Sequence, residues 1–367
     1  MKQVAVLIIT ITYGCSIANT NRYNKKPVVK ANSEQIDYRV GDDWYKGEWS
    51  IAPEVENDTL EIICFEAQES FEFKTDIDKI EFSIAPNTSE SFYVLMNNKS
   101  YAHTIISGVS FKSQQLNFDS SAQISESITY QVEENEYLKS LKEKHPLPFI
   151  KEEMRDSDVV ISVLNWTNKR WSHNGNNSPT KNDAITILNE ASEGNQFPCF
   201  AYAIVLKDQL TAIGYNARTV YLKTKDANNR KSSPGHVVTE VYIKDIEKWV
   251  FLDAQFNIMP TLNGVPLNAV ELQNAITNEF NKLEFKSLSS SVISKKNYAS
   301  FVYDYLYYFD TSIDNGYDKE KRTIEGKSSI MLVPSGAANL VHIEFWNMNV
   351  NYCMYTNSLK EFYAKPK

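Results

Sequence analysis

Three residues, in the order Cys199, His236 and Asp253, lie in local contexts that strongly constrain the fold of this chain. Cys199 precedes an apolar run of seven residues, which predicts a cysteine on the first turn of a buried helix. His236 opens a strand-like segment of eight residues, and Asp253 closes a strand-like segment of five. The sequence therefore predicts a helix that starts beside two neighbouring strands.

A hairpin between these strands would bring His236 and Asp253 together. If it turns around residues 244–245, residue 236 lies opposite residue 253, and opposed Cβ atoms are roughly 5 Å apart. A slip of one residue would put the two side chains on opposite faces. At a helix start, unpaired N–H groups and the helix dipole favour a thiolate. A nucleophile, a base and an orienting carboxylate are the parts of covalent acyl transfer, whereas the alternative is three structural residues.

Segments around the three residues resemble the core of the transglutaminase-like superfamily over roughly residues 150–260. The resemblance implies an α+β fold with a papain-like core, in which Cys199 is the nucleophile on a helix packed on an antiparallel sheet. It also implies that His236 is the base and Asp253 the orienting residue. Many members have an aromatic residue soon after the histidine, whereas Val237 and Val238 follow here, which weakens the expectation of transamidation. The segments that carry the resemblance are 166–175, Gly194 with Cys199, 212–218, 235–237 and 249–253.

Thiol catalysis also needs hydrogen-bond donors for the oxyanion. The candidates are the backbone N–H of Cys199, the side-chain amide of Gln196, and the indole N–H of Trp166 or Trp171, since an aromatic residue has this role in eukaryotic transglutaminases. For each of the three side chains, packing or loop structure is the alternative. Arg218 matches a Gly-x-x-x-Arg pattern of the family and is either a cation in the cleft or part of an ion pair that supports its strand.

Composition excludes several classes of function. With 367 residues and 42% hydrophobic residues, the chain is long enough for two or three domains with real cores. Its net charge of −8 argues against a nucleic-acid partner, because phosphate binding needs a basic surface. The four cysteines form no Cys-x-x-Cys pair, and no His-x-x-x-His pair is present, so neither a metal site nor another cofactor is expected.

The N-terminus resembles a bacterial lipoprotein signal. Residues 1–15 combine a short basic start, an apolar segment and a final Gly14-Cys15, with departures from the usual pattern at Thr12 and Tyr13. This predicts lipidation of Cys15 and an exported protein of the cell envelope that touches the membrane only through its lipid anchor. The alternative is a secreted protein whose ordinary signal peptide is cut near residues 18–19.

Hydrophobic periodicity divides the rest of the chain. Residues 16–35 are polar and are expected to form a tether, and residues 36–130 alternate with period two, which predicts a β-sandwich-like domain. Residues 131–262 are expected to form the catalytic core. Residues 263–367 are expected to supply a helix and a β extension that completes the core or is appended to it, with a strand over residues 303–310.

Three functions fit these observations. The first is an envelope cysteine hydrolase that acts on the amide bonds of a protein or peptide, with cell-wall peptide among the candidates. The second is a transglutaminase that transfers a glutamine acyl group to an amine, and it differs only in what attacks the thioester. The third is a surface binding protein that keeps the fold without the chemistry. The intact Cys199, His236 and Asp253 favour the first two.

Overall fold

The computed structural model describes residues 21–121, 128–131, 135–289, 293–318 and 320–366. The chain divides into two compact units, Met1–Lys112 and Ser113–Lys367. The expected signal sequence and the lipidation site at Cys15 lie outside the described residues. Within the described residues, no helix has both the length and the apolar character needed to cross a membrane.

The N-terminal unit is built from strands, as the period-two pattern predicted. Its five-stranded and four-stranded sheets enclose one apolar core, to which Val29, Phe92 and Ile106 contribute from the first sheet and Phe71 and Phe73 from the second. The sheet orders are β1-β2-β8-β9-β5 and β4-β3-β6-β7. The strands are β1 Arg22–Tyr23, β2 Lys26–Ala31, β3 Gln35–Val40, β4 Asp43–Ser50, β5 Asp58–Cys64, β6 Glu69–Lys74, β7 Lys79–Ile84, β8 Ser89–Met96 and β9 Ser100–Ser110.

Two expected boundaries in this region are wrong. Residues 16–35 were expected to be a tether, but β2 pairs in parallel with β8 and buries Val28 and Val29. Lys26 and Lys30 on either side hide this short strand in the sequence, although the adjacent Val28 and Val29 are both buried. The β unit also ends at Lys112, not at residue 130.

The second unit is a mixed α+β structure, which confirms the fold class expected for the core. Its helices are α1 Glu136–Lys144, α2 Asp156–Asn168, α3 Ala184–Ser192, α4 Cys199–Ala212, α5 Ala269–Asn278, α6 Lys295–Tyr303 and α7 Leu359–Phe362. Its strands are β10 Thr129–Tyr130, β11 Ala217–Lys223, β12 Gly235–Ile243, β13 Lys248–Leu252, β14 Met259–Leu262, β15 Val265–Pro266, β16 Leu283–Lys286, β17 Tyr308–Ser312, β18 Asp314–Asn315, β19 Ser329–Leu332, β20 His342–Ile343, β21 Met348–Asn349 and β22 Cys353–Thr356.

A six-stranded sheet with the order β13-β12-β11-β17-β19-β22 forms the centre of this unit. Helix α4 packs on β11 and β12 and is surrounded by α1, α2 and α3. Buried residues occupy most sides of α4, and only the side with Phe200, Ile204 and Lys207 is partly exposed. Strands β17, β19 and β22 come from the C-terminal hundred residues, so that segment completes the core sheet and is not a separate unit.

The hairpin of β12 and β13 has a different register from the expected one. Thr239 pairs with Leu252 and Ile243 with Lys248, so the turn is centred one residue later than predicted. A 3₁₀ turn over Lys244–Ile246 and a left-handed Glu247 at φ 49° cause this shift. Moving the centre by one residue moves every partner by two, so the face on which each side chain lies is unchanged.

The expected strand over residues 303–310 is also wrong. Helix α6 extends to Tyr303, and β17 starts only at Tyr308. The aromatic residues that suggested one continuous strand therefore belong to two elements. Tyr298 and Phe301 lie three residues apart in α6, and Tyr305 follows in the turn after the helix with its ring 5.4 Å from that of Phe301.

Candidate active site

Cys199 is the first residue of helix α4, as the sequence predicted. Pro198 precedes it in an extended conformation at φ −77°, with no side-chain cap on the helix start. Proline fixes this φ and lacks an N–H, so it ends the incoming segment without competing for the helix. The thiol is half-buried at a helix end where backbone N–H groups and the positive end of the dipole point outward.

His236 and Asp253 form a buried hydrogen-bonded pair. The ring Nε2 of His236 lies 2.7 Å from Oδ2 of Asp253, and both residues are at most 2% exposed. In the observed register Asp253 follows Leu252, the partner of Thr239, so it lies near Val238 and diagonal to His236. The two side chains still share a face because the register error is an even number of residues.

The Cys199 thiol is close enough to His236 to contribute to the raised pKa of the imidazole. Since Nε2 is bound to Asp253, Nδ1 is the ring nitrogen left for the thiol. One imidazole therefore connects the helix start to the buried carboxylate. This is the arrangement that a thiol nucleophile, a general base and an orienting carboxylate require.

Charge interactions favour the protonated imidazole. Burial opposes the charged form, but the charge and hydrogen bond of Asp253, with a further contribution from Cys199, raise the pKa of His236 to about 10. An imidazolium beside the thiol is the charge partner that a thiolate needs. The site can therefore hold a proton on His236 for transfer to a leaving group.

Asp253 has hydrogen bonds to both carboxylate oxygens. Oδ1 accepts from the backbone N–H of Gln255 at 3.0 Å and of Phe256 at 3.3 Å. Oδ2 accepts from the hydroxyl of Tyr298 at 2.8 Å, in addition to its bond with His236. Four partners fix the orientation of this carboxylate, and through it the orientation of the imidazole.

Tyr298 is a site residue that the sequence reasoning missed. It is 0% exposed and lies on α6, far from Asp253 in the chain. Burial, followed by the Asp253 charge, raises the pKa of Tyr298 well above its usual range, so the hydroxyl stays a donor. From the same helix, Phe301 meets the His236 ring edge-on at 5.2 Å, and Tyr305, two residues beyond the helix end, lies 6.0 Å from that ring.

Asn168, at the end of α2, supports the loop that follows Asp253. Its side-chain amide donates to the carbonyls of Ala254 at 3.0 Å and Gln255 at 2.9 Å. These bonds hold the backbone whose N–H groups bind Asp253. The segment resembling the family upstream of the cysteine thus contacts the far side of the site.

The oxyanion candidates occupy different places. Trp171 donates its indole N–H to the carbonyl of Phe197 at 3.2 Å, and its ring packs on Tyr202 at 4.3 Å. Trp166 packs under the guanidinium of Arg170 at 4.6 Å. Neither tryptophan lines the cleft around Cys199, nor does the exposed Gln196. Trp171 instead positions the segment immediately before the cysteine, and the backbone N–H of Cys199 remains the candidate at the helix start.

Arg218 is not a cleft cation, which corrects one of the two expectations for it. The side chain is 0% exposed and pairs with Glu240 at 2.8 Å. The ring centroids of Trp249 and Phe362 each lie 4.4 Å from the guanidinium carbon. Arg218 thus joins its strand to the C-terminal segment.

A cleft of about 1410 Å³ opens at Cys199 and His236. It follows the exposed side of α4 as far as Lys207 and Asp208, so it can take an extended substrate. His173 also lines this cleft. Burial, then the neighbouring His236, lowers the pKa of His173, which makes it a neutral polar group at the site.

No group of three or more metal-binding side chains occurs within the described ranges. The three cysteines that the structure describes, Cys64, Cys199 and Cys353, are all free thiols. Burial raises the pKa of Cys353 far above its usual range, so its environment differs sharply from the helix start at Cys199.

Residues 147–254 match the family model of the transglutaminase-like superfamily. The resemblance read from the sequence is therefore confirmed. The matched region contains Cys199, His236 and Asp253, and at the level of the superfamily it supports an enzyme with an active cysteine. Tyr298 and the C-terminal strands lie beyond it.

Two further comparisons add little about activity. The chain is similar to a solved structure from Cytophaga hutchinsonii named "a Putative Cysteine Protease", at 16% identity and a TM-score of 0.28. The similarity covers 44% of this chain and 52% of that one, so it spans about half the length of each. No curated protein matches the chain in sequence.

Proposed function

We propose that this protein is a cysteine hydrolase that cleaves peptide or isopeptide amide bonds through a thioester at Cys199. The observation that carries the proposal is the buried imidazole of His236, which is bonded to Asp253 through Nε2 and interacts with the Cys199 thiol at the cleft. A purely structural cysteine would not need an oriented, positively charged partner at the mouth of a large cleft.

The geometry supports a two-stage reaction. The Cys199 thiolate attacks the carbonyl carbon, the carbon–sulfur bond forms, and the negative charge moves to the carbonyl oxygen near the N–H groups at the start of α4. The carbon–nitrogen bond then breaks, and the amine leaves with the proton of the His236 imidazolium. Water attacks the thioester, His236 accepts a proton from it, and the carboxylic acid leaves as Cys199 is restored.

A peptide-library assay with and without a large excess of a primary amine tests the reaction. We expect cleavage products formed by the addition of water, and we expect Cys199→Ala to abolish them. Cys64→Ala is the matched control, because Cys64 is a buried cysteine of the N-terminal unit. Products that carry the added amine in place of water would show a transglutaminase, and turnover that survives Cys199→Ala would exclude both reactions.

The cellular location proposed from the sequence is the bacterial cell envelope. The short apolar segment ending in Gly14-Cys15 supports processing before Cys15 and attachment of lipid there. Mass spectrometry of the mature N-terminus tests this point. An intact Met1, or a free N-terminus near residue 19, would contradict it.

A further inference from the structure

An exposed pair of aromatic residues forms one side of the cleft. Phe345 and Trp346 are each 46% exposed, and both line the cleft that contains Cys199 and His236. They come from a part of the chain about ninety residues beyond the region that matches the family model. Nothing in the reaction proposed above uses them.

The local structure gives no reason for aromatic residues at these positions. Phe345 and Trp346 are the two central residues of a tight turn between β20 and β21, closed by a bond from the Asn347 N–H to the Glu344 carbonyl at 3.0 Å. Glycine, proline, asparagine and aspartate are the residues that such positions usually favour. Two large apolar side chains here expose surface that burial against a ligand would remove from water.

The turn is held directly beside the catalytic histidine. A Cβ added to Gly235 would lie 2.9 Å from Cη2 of Trp346, so the indole packs on the backbone one residue before His236. The Glu344 N–H donates to the Ala227 carbonyl at 3.3 Å, and the Glu344 carboxylate pairs with Lys231. Both partners belong to the loop that leads into β12. The aromatic pair is therefore fixed relative to the site.

Other aromatic groups complete the surface. Tyr221, which is 39% exposed, lines the same cleft and interacts electrostatically with Cys199. Phe200 follows the nucleophile on α4 and also lines the cleft. Lys223 and Asp310 also line the cleft, and their charges neutralise each other because the two side chains pair at 2.9 Å. An apolar side chain fits this surface better than a charged one.

We propose that the Phe345–Trp346 turn forms an apolar subsite that selects a substrate with an aromatic or large aliphatic side chain next to the bond that is cleaved. The proposal rests on the proposed function and names part of its substrate class. It assigns to the C-terminal segment a role in specificity, separate from its role in completing the sheet.

Electrophilic probes of Cys199 test the subsite without requiring turnover. Acyloxymethyl ketones derived from phenylalanine, leucine and glycine differ only in the side chain beside the electrophile, and intact-mass measurements give their rates of labelling. We expect the phenylalanine and leucine probes to label about tenfold faster than the glycine probe, since a filled apolar subsite commonly gives at least this discrimination. Trp346→Ala should remove most of this preference, and Trp346→Phe should keep most of it.

Iodoacetamide, which has no such side chain, should label all variants at the wild-type rate. Phe345→Ala provides a second variant that leaves the contact with Gly235 intact, and it should also reduce the preference. Trp44→Ala is the matched control, because Trp44 of the N-terminal unit is 42% exposed. A wild-type protein without preference, or a preference unchanged in both cleft variants, would overturn the subsite. Failure of iodoacetamide to label Cys199 at all would overturn the proposed function, and the subsite with it.

Discussion

Two of the buried pairs of opposite charge at the six-stranded sheet differ in whether their hydrogen bonds are complete within the protein. In the first pair, Arg218 binds Glu240 through Nε and Nη2 and the carbonyl of Phe362 through Nη1. The other oxygen of Glu240 accepts from the backbone N–H of Ala269 and the hydroxyl of Tyr363. Both charges are 0% exposed, and their main groups have partners inside the fold.

The second pair, His236 and Asp253, is also buried, but His236 lines the cleft. Asp253 is fully bonded, whereas His236 also interacts with the Cys199 thiol. Burial and a perturbed charge therefore do not distinguish a functional pair from a structural one. The distinction is a titratable atom that remains directed at a nucleophile and at space that a substrate can enter.

Replacing His236 tests the His236–Asp253 pair and should give the largest effect on peptide turnover. Because His236 is both the charge partner of the thiol and the proposed proton carrier, we expect His236→Ala to lower peptide turnover by about 10²–10⁴-fold. Labelling of Cys199 by limiting iodoacetamide near neutral pH should also slow. Circular dichroism should show a folded protein. Turnover and labelling at wild-type rates would mean that the His236–Asp253 pair is structural as well.

Replacing Arg218 tests the Arg218–Glu240 pair, and the main effect should be on the free energy of unfolding. Removing one partner of a buried ion pair leaves an unpaired charge, so we expect Arg218→Ala to lower the free energy of unfolding by about 3–5 kcal/mol. The variant also loses the packing between Trp249 and Phe362. Urea denaturation measures the change, and at low temperature the folded fraction should label at Cys199 as wild type does. A normal stability combined with lost labelling would reverse the roles of the two pairs.

The pH dependence of unfolding distinguishes the pairs further. Although burial opposes protonation, Asp253 raises the pKa of His236 to about 10, above the 6.5 expected when unfolded. The resulting stabilisation is complete below pH 6.5 and is lost as the pH rises towards 10. Wild type should therefore lose on the order of a few kcal/mol over this interval. His236→Asn should lose less, and parallel curves for the two proteins in urea denaturation would contradict the raised pKa.

The sequence predicted the positions that depend on short-range patterns. An apolar run after Cys199 and strand-like segments around His236 and Asp253 were enough to place a helix start beside a hairpin. The face of each strand residue was also correct, because alternation survives a register shift of two. The turn geometry that set the actual register depends on a left-handed Glu247, a residue with no sequence preference for that conformation.

Contacts between segments that are distant in the chain could not be predicted from the sequence. Tyr298 reaches Asp253 from another element, and Trp346 reaches Gly235 from a turn more than a hundred residues away. Neither residue stands in a pattern that points to its partner, and no short-range rule pairs them. The sequence left two roles open for Arg218, and it could not decide between them because the deciding contacts include the distant Phe362.

The smallest expected effect comes from replacing Tyr298, which tests whether this residue orients Asp253 or only stabilises the fold. Tyr298→Phe removes one of the four hydrogen bonds to Asp253 and leaves those from His236, Gln255 and Phe256. A hydrogen bond to a charged group contributes about 1.5–3 kcal/mol, and only part of this loss should reach the reaction barrier. We expect kcat to fall by about tenfold with KM unchanged, since the substrate does not contact Tyr298.

Tyr303→Phe is the matched control on the same helix. Its buried hydroxyl bonds to the Gln114 N–H at 2.7 Å, to the amide of Gln273 at 3.1 Å and to the hydroxyl of Thr277 at 2.7 Å, and none of these partners is Asp253. Both variants should lower the free energy of unfolding by a similar amount, because each leaves buried partners without a hydroxyl. Only Tyr298→Phe should lower kcat in steady-state kinetics. Equal losses of kcat would mean that α6 acts on the site only through general packing. Tyr298 would then be a structural residue, as Arg218 and Glu240 are.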